Sequence, residues 1–362
     1  MNVFYTVLGI TFFLALLIRV TRKEHIIFSK VIMIIMVTIL IVVGGTQINI
    51  GDTPVYINIF KSVVANPSNA DFNYDGGFIY FILLLTYISS DPQILIIVCS
   101  IIINLTNIKM FFKYESLIEL QMFLYITSGY YIVTMNGLRQ CIVASVLLWA
   151  TKYIINGELV KYLIVVFFMS FLHQSALIMI PVYFISRCKP WSKLIYGLIG
   201  ISFCGVLLFD KLVPIIFKFL QQSNYSHYES YISATGQGSN VIRIFIAAVP
   251  VIISYIKRDE LKEKWSQSNV FVNMSLLNII FYMFSSFNWI FARFNIYFQL
   301  YTFILLPYLI KECFKGKERR LIYFLCIVCY FIIFWFEYDR NMNLQYIWRY
   351  NFTDIFYNTI GG

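Results

Sequence analysis

The sequence predicts an all-α polytopic integral membrane protein. Hydrophobic residues make up 60% of its 362 residues and charged residues only 13%, whereas soluble domains carry about a quarter charged residues. Mean hydropathy is high, at +0.75. The apolar residues form long runs separated by short polar stretches, and a helix needs about 20 such residues to span a bilayer. We therefore expect about ten full crossings, with re-entrant or half helices among roughly 10–13 hydrophobic segments.

The first apolar run has no basic region before it and no small-residue cleavage site after it, so we interpret it as a retained helix and not as a signal peptide. We expect one polytopic domain over residues 1–362. Two connections, 46–75 and 210–240, are long enough to be more than simple loops. The apolar runs lie near 3–19, 27–45, 76–88, 92–112, 117–134, 138–155, 159–186, 192–209, 241–256, 268–288, 290–311 and 319–337.

Six basic clusters indicate which connections face the cytoplasm, because cytoplasmic loops carry an excess of lysine and arginine. This rule explains the net charge of +10 better than binding to nucleic acid does. Placing all six clusters inside puts both termini outside, together with the loops 46–75 and 210–240. The clusters are Arg19/Arg22/Lys23/Lys30, Lys109/Lys113, Lys152/Lys161, Arg187/Lys189/Lys193, Lys257/Arg258/Lys262/Lys264 and Lys311/Lys315/Lys317/Arg319/Arg320.

This topology requires two apolar runs that do not cross. The run 76–88 is short and ends at a Ser-Ser-Asp-Pro sequence. The run 159–186 is interrupted by His173, Gln174 and Ser175, which we expect to form the tip of a re-entrant pair of helices. Non-helical backbone within a membrane needs protein or a water-filled cavity around it. A single long tilted helix over 159–186 is the alternative.

Two arginines on the side opposite the six basic clusters are candidate anion ligands. Arg139 lies in the polar segment Asn136-Gly137-Leu138-Arg139-Gln140, at the start of an apolar run. A guanidinium group suits phosphate, and the backbone N–H groups of a helix N-terminus add to such a site. Arg293 lies among aromatic residues about one turn into its run, so the two arginines could bind a diphosphate. Snorkelling or cation–π packing is the alternative for each.

Three residues on the same predicted face are candidates for acid–base chemistry. His173 could act as a general base or as a donor to a sugar or phosphate oxygen, with Gln174 and Ser175 beside it in a polar pocket. Asp52 and Asp75 could activate an acceptor hydroxyl, or could only cap helices. The sequence does not decide which of the three is the base.

The outer connection 210–240 contains Tyr225, Tyr228 and Tyr231, followed by a glycine-rich stretch. Aromatic rings mixed with hydroxyl and amide groups suit binding to a glycan, and the glycines suggest a mobile lid. Tyrosines of the membrane interface are the alternative. The seven cysteines lie in or beside apolar runs without metal-ligand spacing, so we expect neither a metal nor another cofactor.

On these residues the chain resembles the EpsG family of bacterial polysaccharide polymerases, which are related to Wzy-type O-antigen and capsule polymerases. The similarity covers about residues 45–310. One departure is that the family commonly has glutamate and proline where this chain has Asp75 and Gly76. The motifs are Gly51-Asp52-Thr53 with Tyr56, Tyr74-Asp75-Gly76-Gly77-Phe78, Met135-Asn136-Gly137-Leu138-Arg139-Gln140, Phe171-Leu172-His173-Gln174-Ser175-Ala176-Leu177 and, more weakly, Arg293 with Tyr297-Phe298.

The resemblance implies polymerisation of exopolysaccharide, capsule or O-antigen repeat units at the outer face of a bacterial inner or plasma membrane. An undecaprenyl-diphosphate-linked glycan would be both donor and acceptor. Arg139 and Arg293 would neutralise the departing diphosphate, and His173, Asp52 or Asp75 would deprotonate or orient the acceptor hydroxyl. A chain-length regulator and a flippase of the same pathway are implied partners, beside the lipid bilayer.

Three alternatives stay open. A flippase of lipid-linked sugars would also use membrane arginines, but it predicts internal repeats and access from both sides, and no clear repeat is present. A membrane acyltransferase would use a histidine base facing the cytoplasm. An O-antigen-ligase-like glycosyltransferase would differ from a polymerase mainly in its acceptor.

Overall fold

The computed structural model is all-helical, as the sequence predicts. It describes residues 1–22, 24–67, 75–114, 116–209, 211, 238 and 240–349. In these ranges 83% of the residues are helical and no strand is present. The α-helices are α1 (Asn2–Thr21), α2 (Ile26–Thr46), α3 (Thr53–Ala65), α4 (Gly76–Thr86), α5 (Gln93–Lys113), α6 (Ile118–Thr127), α7 (Tyr130–Asn136), α8 (Leu138–Asn156), α9 (Leu159–Leu172), α10 (Met179–Arg187), α11 (Lys193–Leu207), α12 (Ile242–Ile256), α13 (Arg258–Lys264), α14 (Ser268–Ser285), α15 (Ala292–Cys313) and α16 (Gly316–Phe334).

Seven helices among the described residues are long and apolar enough to cross a membrane, which confirms a multi-pass protein. They are α1, α2, α5, α8, α14, α15 with the 3₁₀ turn before it, and α16 with the π-helical turn after it. Five shorter apolar helices are α4, α6, α9, α11 and α12. The expected ten crossings stay a prediction. The 11 residues of α4 extend only about 16 Å, which is short for a hydrocarbon core of about 30 Å.

The helices form two compact units. The first comprises Met1–Ala150, Leu163–Leu177 and the chain from Lys315 onward, and the second comprises Thr151–Tyr162 and Ile178–Phe314. The predicted single domain over 1–362 is not tested by this division and stays a prediction, as do the outside positions of 46–75 and 210–240. Within 46–75 the chain forms α3, whose start at Thr53 is favoured by Pro54 in its first turn.

Contacts between residues distant in the sequence identify the two ends of the first unit. At one end the amino group of Met1 donates to the carbonyl of Leu344 (3.0 Å), and Gln47 forms a β-bridge with Trp348. At the other end Arg19, in the last turn of α1, pairs with the buried Glu119. The basic residue Arg19 therefore lies at the end of the first unit opposite Met1 and Leu344. The orientation of the termini relative to a membrane stays a prediction.

The apolar run 117–134 is divided between α6 and α7 by Ser128 and Gly129. Gly129 has a φ of +79°, a region that L side chains rarely adopt. A Cβ at this position would overlap the hydroxyl of Tyr338, so only glycine fits. The division leaves α6 with 10 residues, about half of a membrane span.

The run 159–186 is a helical hairpin. The helix α9 ends at Leu172, a 3₁₀ turn covers Gln174–Ile178, and α10 follows. The rings of Tyr162 and Tyr183 have centroids 5.4 Å apart, whereas one continuous helix would separate these residues by about 31 Å. Arg187 also donates to the carbonyl of Ile154. The chain therefore folds back at His173, and the alternative of one long helix is wrong. Its re-entrant position in a membrane stays a prediction.

The second unit is built around the antiparallel pair α14 and α15. Phe281 and Phe298 stack between them with centroids 5.3 Å apart, and the hydroxyl groups of Thr151 and Tyr301 lie 2.7 Å apart. The amide of Asn273 donates to three carbonyls at the end of α10, which satisfies groups that a helix C-terminus otherwise leaves unpaired.

Candidate active site

The polar segment 136–140 is the break between α7 and α8, and it sets the position of Arg139. Gly137 ends α7 by donating to the carbonyl of Val133 (2.9 Å), and its own carbonyl accepts from Cys141 (2.9 Å) to begin α8. Arg139 is therefore the second residue of a 19-residue helix, where backbone N–H groups have no helical partner. The sequence prediction of a helix N-terminus at this arginine is confirmed.

The guanidinium of Arg139 forms an ion pair with Asp75. Its Nη1 donates to Asp75 Oδ2 over 3.1 Å, and the two side chains are 18% and 22% exposed. The pair is therefore largely shielded but still reachable from outside the protein. In the first unit, this pair joins the first turn of α8 to the residue before α4.

Asp75 precedes α4, but its side chain makes no cap hydrogen bond to that helix. Its carboxylate instead accepts from the backbone N–H of Gln174 and from Arg139. Partial burial raises the pKa of Asp75, while Arg139 and the Gln174 hydrogen bond oppose this rise. The Asp75 side chain therefore does not cap α4. It instead connects the start of α4 to the first turn of α8 and to the hairpin turn at Gln174.

Two aromatic residues enclose the guanidinium of Arg139. It lies over the ring of Phe78, 5.3 Å from the centroid. Tyr56 packs edge-on against Phe78, with centroids 5.8 Å apart, and its hydroxyl interacts with Arg139. Burial raises the pKa of Tyr56 to about 12. In the sequence both residues are only neighbours within motifs, because their roles depend on contacts between α3, α4 and α8.

The backbone of Asp52 is hydrogen-bonded to the side chain of Asn136. The N–H of Asp52 donates to Asn136 Oδ1 over 2.8 Å, and its exposed side chain makes no cap bond to α3. Gly51 has a φ of +54°, and the Asn136 side chain occupies the place that a Cβ would need. Thr53 Oγ1 donates to the carbonyl of Met135 over 3.0 Å. Asn136 therefore attaches the Gly-Asp-Thr turn to the α7–α8 break.

His173 follows the last residue of α9, at the tip of the hairpin. Its Nδ1 accepts from the backbone N–H of Ser175 (3.3 Å) and lies 2.7 Å from Ser175 Oγ. In the neutral imidazole the proton then belongs on Nε2. Gly77 packs directly on this tip, because a Cβ there would lie 2.6 Å from the Phe171 carbonyl oxygen. Together with the Asp75–Gln174 bond, this contact joins the start of α4 to the hairpin.

The first unit thus contains most of the predicted site residues. Asp75 is bonded to both Arg139 and Gln174, Asp52 is bonded to Asn136, and His173 is bonded to Ser175. Gly137 is the helix break, and Gln140 is buried in the first turn of α8. Their assignment to a catalytic site stays a prediction.

Arg293 belongs to the second unit, in the first turn of α15. Its guanidinium lies over the Trp289 ring, 5.0 Å from the centroid, and the side chain is exposed. The predicted partnership with Arg139 stays a prediction. Tyr225, Tyr228 and Tyr231 lie outside the described residues. Within the described ranges, no three His, Cys, Asp or Glu side chains are close enough together to hold a metal ion.

The model of the EpsG family matches residues 30–352, which include all the motifs described above. Neither the curated proteins nor the solved structures contain a match to this chain.

Proposed function

Because the chain belongs to the EpsG family, we propose that it is a membrane glycosyltransferase that polymerises repeat units carried on undecaprenyl diphosphate. The observation that carries the proposal is the partly exposed Arg139–Asp75 pair, bonded in turn to the backbone of Gln174. In this arrangement one carboxylate contacts both a permanent cation and the tip of a helical hairpin. A reaction that releases a diphosphate and removes a proton needs both charged groups.

In this proposal Arg139 stays ion-paired with Asp75 until the diphosphate of the donor binds. Arginine binds phosphate oxygens through two parallel hydrogen bonds, so the diphosphate competes for the same guanidinium. Once Arg139 changes partner, the Asp75 carboxylate loses its compensating cation and becomes a stronger base. The order of events links binding of the leaving group to activation of the base.

The chemical step is a substitution at the anomeric carbon of the donor sugar. The acceptor hydroxyl oxygen forms the new glycosidic bond, and the bond from the anomeric carbon to the diphosphate oxygen breaks. The hydroxyl proton passes to Asp75, and the diphosphate leaves with the bonding electron pair, stabilised by Arg139. Asp52, whose side chain is exposed, is the second candidate for orienting the acceptor.

His173 acts in this proposal as a hydrogen-bond donor. Its Nδ1 is used by Ser175, so the neutral ring presents N–H at Nε2. A donor suits a phosphate or sugar oxygen, whereas a general base needs an acceptor nitrogen. The proposal therefore assigns the role of base to Asp75 and the role of hydrogen-bond donor to His173.

The proposed reaction takes place on the extracytoplasmic side of a bacterial inner or plasma membrane. The Gly-Asp-Thr turn next to the site is bonded through Gln47 to the end of the first unit that holds Met1. The opposite end carries Arg19 and Lys113, and basic residues favour the cytoplasm. The same proposal includes a chain-length regulator as partner, Arg293 as a second diphosphate ligand, and Tyr225, Tyr228 and Tyr231 as glycan contacts.

The test is complementation of a strain that lacks the gene. Surface polysaccharide length is read on a gel for wild type, Arg139→Ala and Arg139→Lys, at matched amounts of the protein in the membrane. Arg340 is the matched control, since it is an exposed arginine near Met1 whose guanidinium lies over Trp335, 5.6 Å from its centroid. We expect a ladder for wild type and Arg340→Ala, and single repeat units for both Arg139 variants.

Two outcomes would contradict the proposal. If the Arg139 variants polymerise normally, Arg139 is a boundary residue and the site is elsewhere. If single units never reach the surface without this protein, export is the missing step and the flippase alternative is correct.

A further inference from the structure

A cavity lies away from the site, between α5 and the part of α8 in the first unit. Its volume is about 220 Å³. It is lined by Leu105, Thr106, Lys109, Val146 and Trp149, and we refer to it as the α5–α8 groove. Both helices are candidate membrane spans, and Leu105 is 50% exposed. The groove therefore opens on the outer surface of two candidate membrane spans.

The groove lies toward the basic end of the first unit. The amide of Gln93, at the start of α5, donates to the carbonyls of Gly45 and Gln47 beside the Gly-Asp-Thr turn. Lys109 is 16 residues further along α5, which is about 24 Å. Trp149 is ten residues beyond Arg139 on α8, about 15 Å. A lipid in this groove would therefore have its headgroup in the opposite half of the membrane from the Arg139–Asp75 pair.

The lining of the α5–α8 groove changes from apolar to charged along the axis of α5. Ile101, Leu105 and Lys109 follow one another at four-residue spacing on the exposed face of α5, so an apolar strip ends in an ammonium group. Among the described residues no carboxylate pairs with Lys109. Trp149 adds an indole N–H, a donor that amphipathic aromatic residues direct toward the polar side of a membrane interface.

We propose that the α5–α8 groove binds an anionic glycerophospholipid of the cytoplasmic leaflet. One acyl chain would lie along Leu105 and Val146, and the phosphate would contact Lys109. Charge complementarity selects an anionic headgroup, because a lysine near the membrane surface contributes about 1 kcal/mol to binding of anionic lipid, a preference of about fivefold. The proposal does not depend on the proposed function, since it uses no residue of the candidate site.

Trp149 allows a direct test. The full-length protein is placed in nanodiscs of phosphatidylcholine that contain brominated phosphatidylglycerol or, in parallel, brominated phosphatidylcholine at the same mole fraction. Bromine quenches only nearby tryptophans, and subtracting the signal of Trp149→Phe isolates the groove from the other five tryptophans. We expect brominated phosphatidylglycerol to quench Trp149 with about fivefold higher apparent affinity.

Lys109→Gln should abolish this preference, and Lys109→Arg should keep it. Lys30→Gln is the matched control, because Lys30 is an exposed lysine at the basic end of α2. Equal quenching by the two lipids in wild type would overturn the proposal, as would a preference that survives in Lys109→Gln. Native mass spectrometry is the second measurement, and we expect Lys109→Gln, but not Lys30→Gln, to retain one phosphatidylglycerol fewer than wild type.

Discussion

Two arginine–carboxylate pairs of the first unit, Arg139–Asp75 and Arg19–Glu119, lie toward opposite ends of it and differ in their surroundings. Arg139 and Asp75 are both partly exposed, and the pair lies between the beginnings of two helices and a hairpin tip. Glu119 is fully buried inside α6, whereas its partner Arg19 is 46% exposed. The hydroxyl of Tyr323 from α16 also donates to Glu119, over 3.4 Å. The Glu119 pair thus connects three helices.

The difference shows that an arginine–carboxylate pair can either exchange partners or stabilise the fold, depending on how deeply its carboxylate is buried. A fully buried carboxylate cannot leave its cation, because an uncompensated charge in the interior costs several kcal/mol. A partly exposed pair can change partners when another anion arrives, since water and the substrate compensate the charges during the exchange. We therefore expect substitutions at the first pair to change activity, and substitutions at the second to change stability.

The largest effect is expected for Asp75→Asn. Loss of a general base reduces the rate of chain extension by about 10²- to 10⁴-fold, while the amount of folded protein stays near that of wild type. The measurement is the rate of polymer formation by membranes supplied with lipid-linked repeat units. Asp339→Asn is the matched control, because Asp339 accepts a hydrogen bond from Tyr5 (2.9 Å) near Met1 and is not part of the proposed site.

The pH dependence of this rate sharpens the assignment. Burial raises the pKa of Asp75 in the free protein, so the carboxylate is protonated at a higher pH than an ordinary aspartate. The rate should therefore fall as the pH is lowered through this raised pKa and level off above it. Asp75→Glu should keep a titration of this kind and Asp75→Asn should lose it. An unchanged profile in Asp75→Asn would assign the base to another residue.

The second effect concerns the buried pair. Arg19→Ala leaves Glu119 without its cation in the interior, which should lower the free energy of unfolding by up to about 3–5 kcal/mol. Glu119→Gln should cost less, because the half-exposed Arg19 can extend into solvent. Thermal unfolding of the purified proteins in detergent measures both. Polymer formation per folded molecule should stay near wild type, and a selective loss of activity in Arg19→Ala would remove the distinction between the pairs.

The sequence singled out Arg139 and Asp75 as separate candidate site residues, without predicting that they pair, and gave no indication of the Arg19–Glu119 pair. Arg139 stands out because a polar break containing a cation is costly beside apolar runs. Glu119 is preceded and followed by apolar residues in a buried helix, and nothing local indicates that Arg19, 100 residues away, compensates its charge. The sequence could place Asp75 before a helix, but capping and catalysis remained alternatives, since the competing partners, Arg139 and Gln174, come from distant segments.

The hairpin shows the same limit for the fold. The polar residues His173 and Ser175 predict an interruption of the run 159–186, and charge counting predicts a return to the same side. The return is established only by tertiary contacts, those of Tyr162 with Tyr183 and of Arg187 with the Ile154 carbonyl. By contrast, the break at Gly129 is invisible in hydropathy, because it depends on the Tyr338 hydroxyl, which lies more than 200 residues further along the chain.

The smallest effect is expected for Tyr56→Phe, which tests whether Arg139 is positioned by its aromatic surroundings. The ring contact with Phe78 is retained, and only the hydroxyl that interacts with Arg139 is lost. One net hydrogen bond contributes about 0.5–1.5 kcal/mol, so chain extension should slow by roughly two- to tenfold. The loss should appear as weaker donor binding if the hydroxyl orients Arg139 toward the diphosphate. Tyr5→Phe removes a hydroxyl bonded to Asp339 and should leave donor binding unchanged. An equal loss in both variants would mean that Tyr56 supports only the packing of α3 and not the arginine.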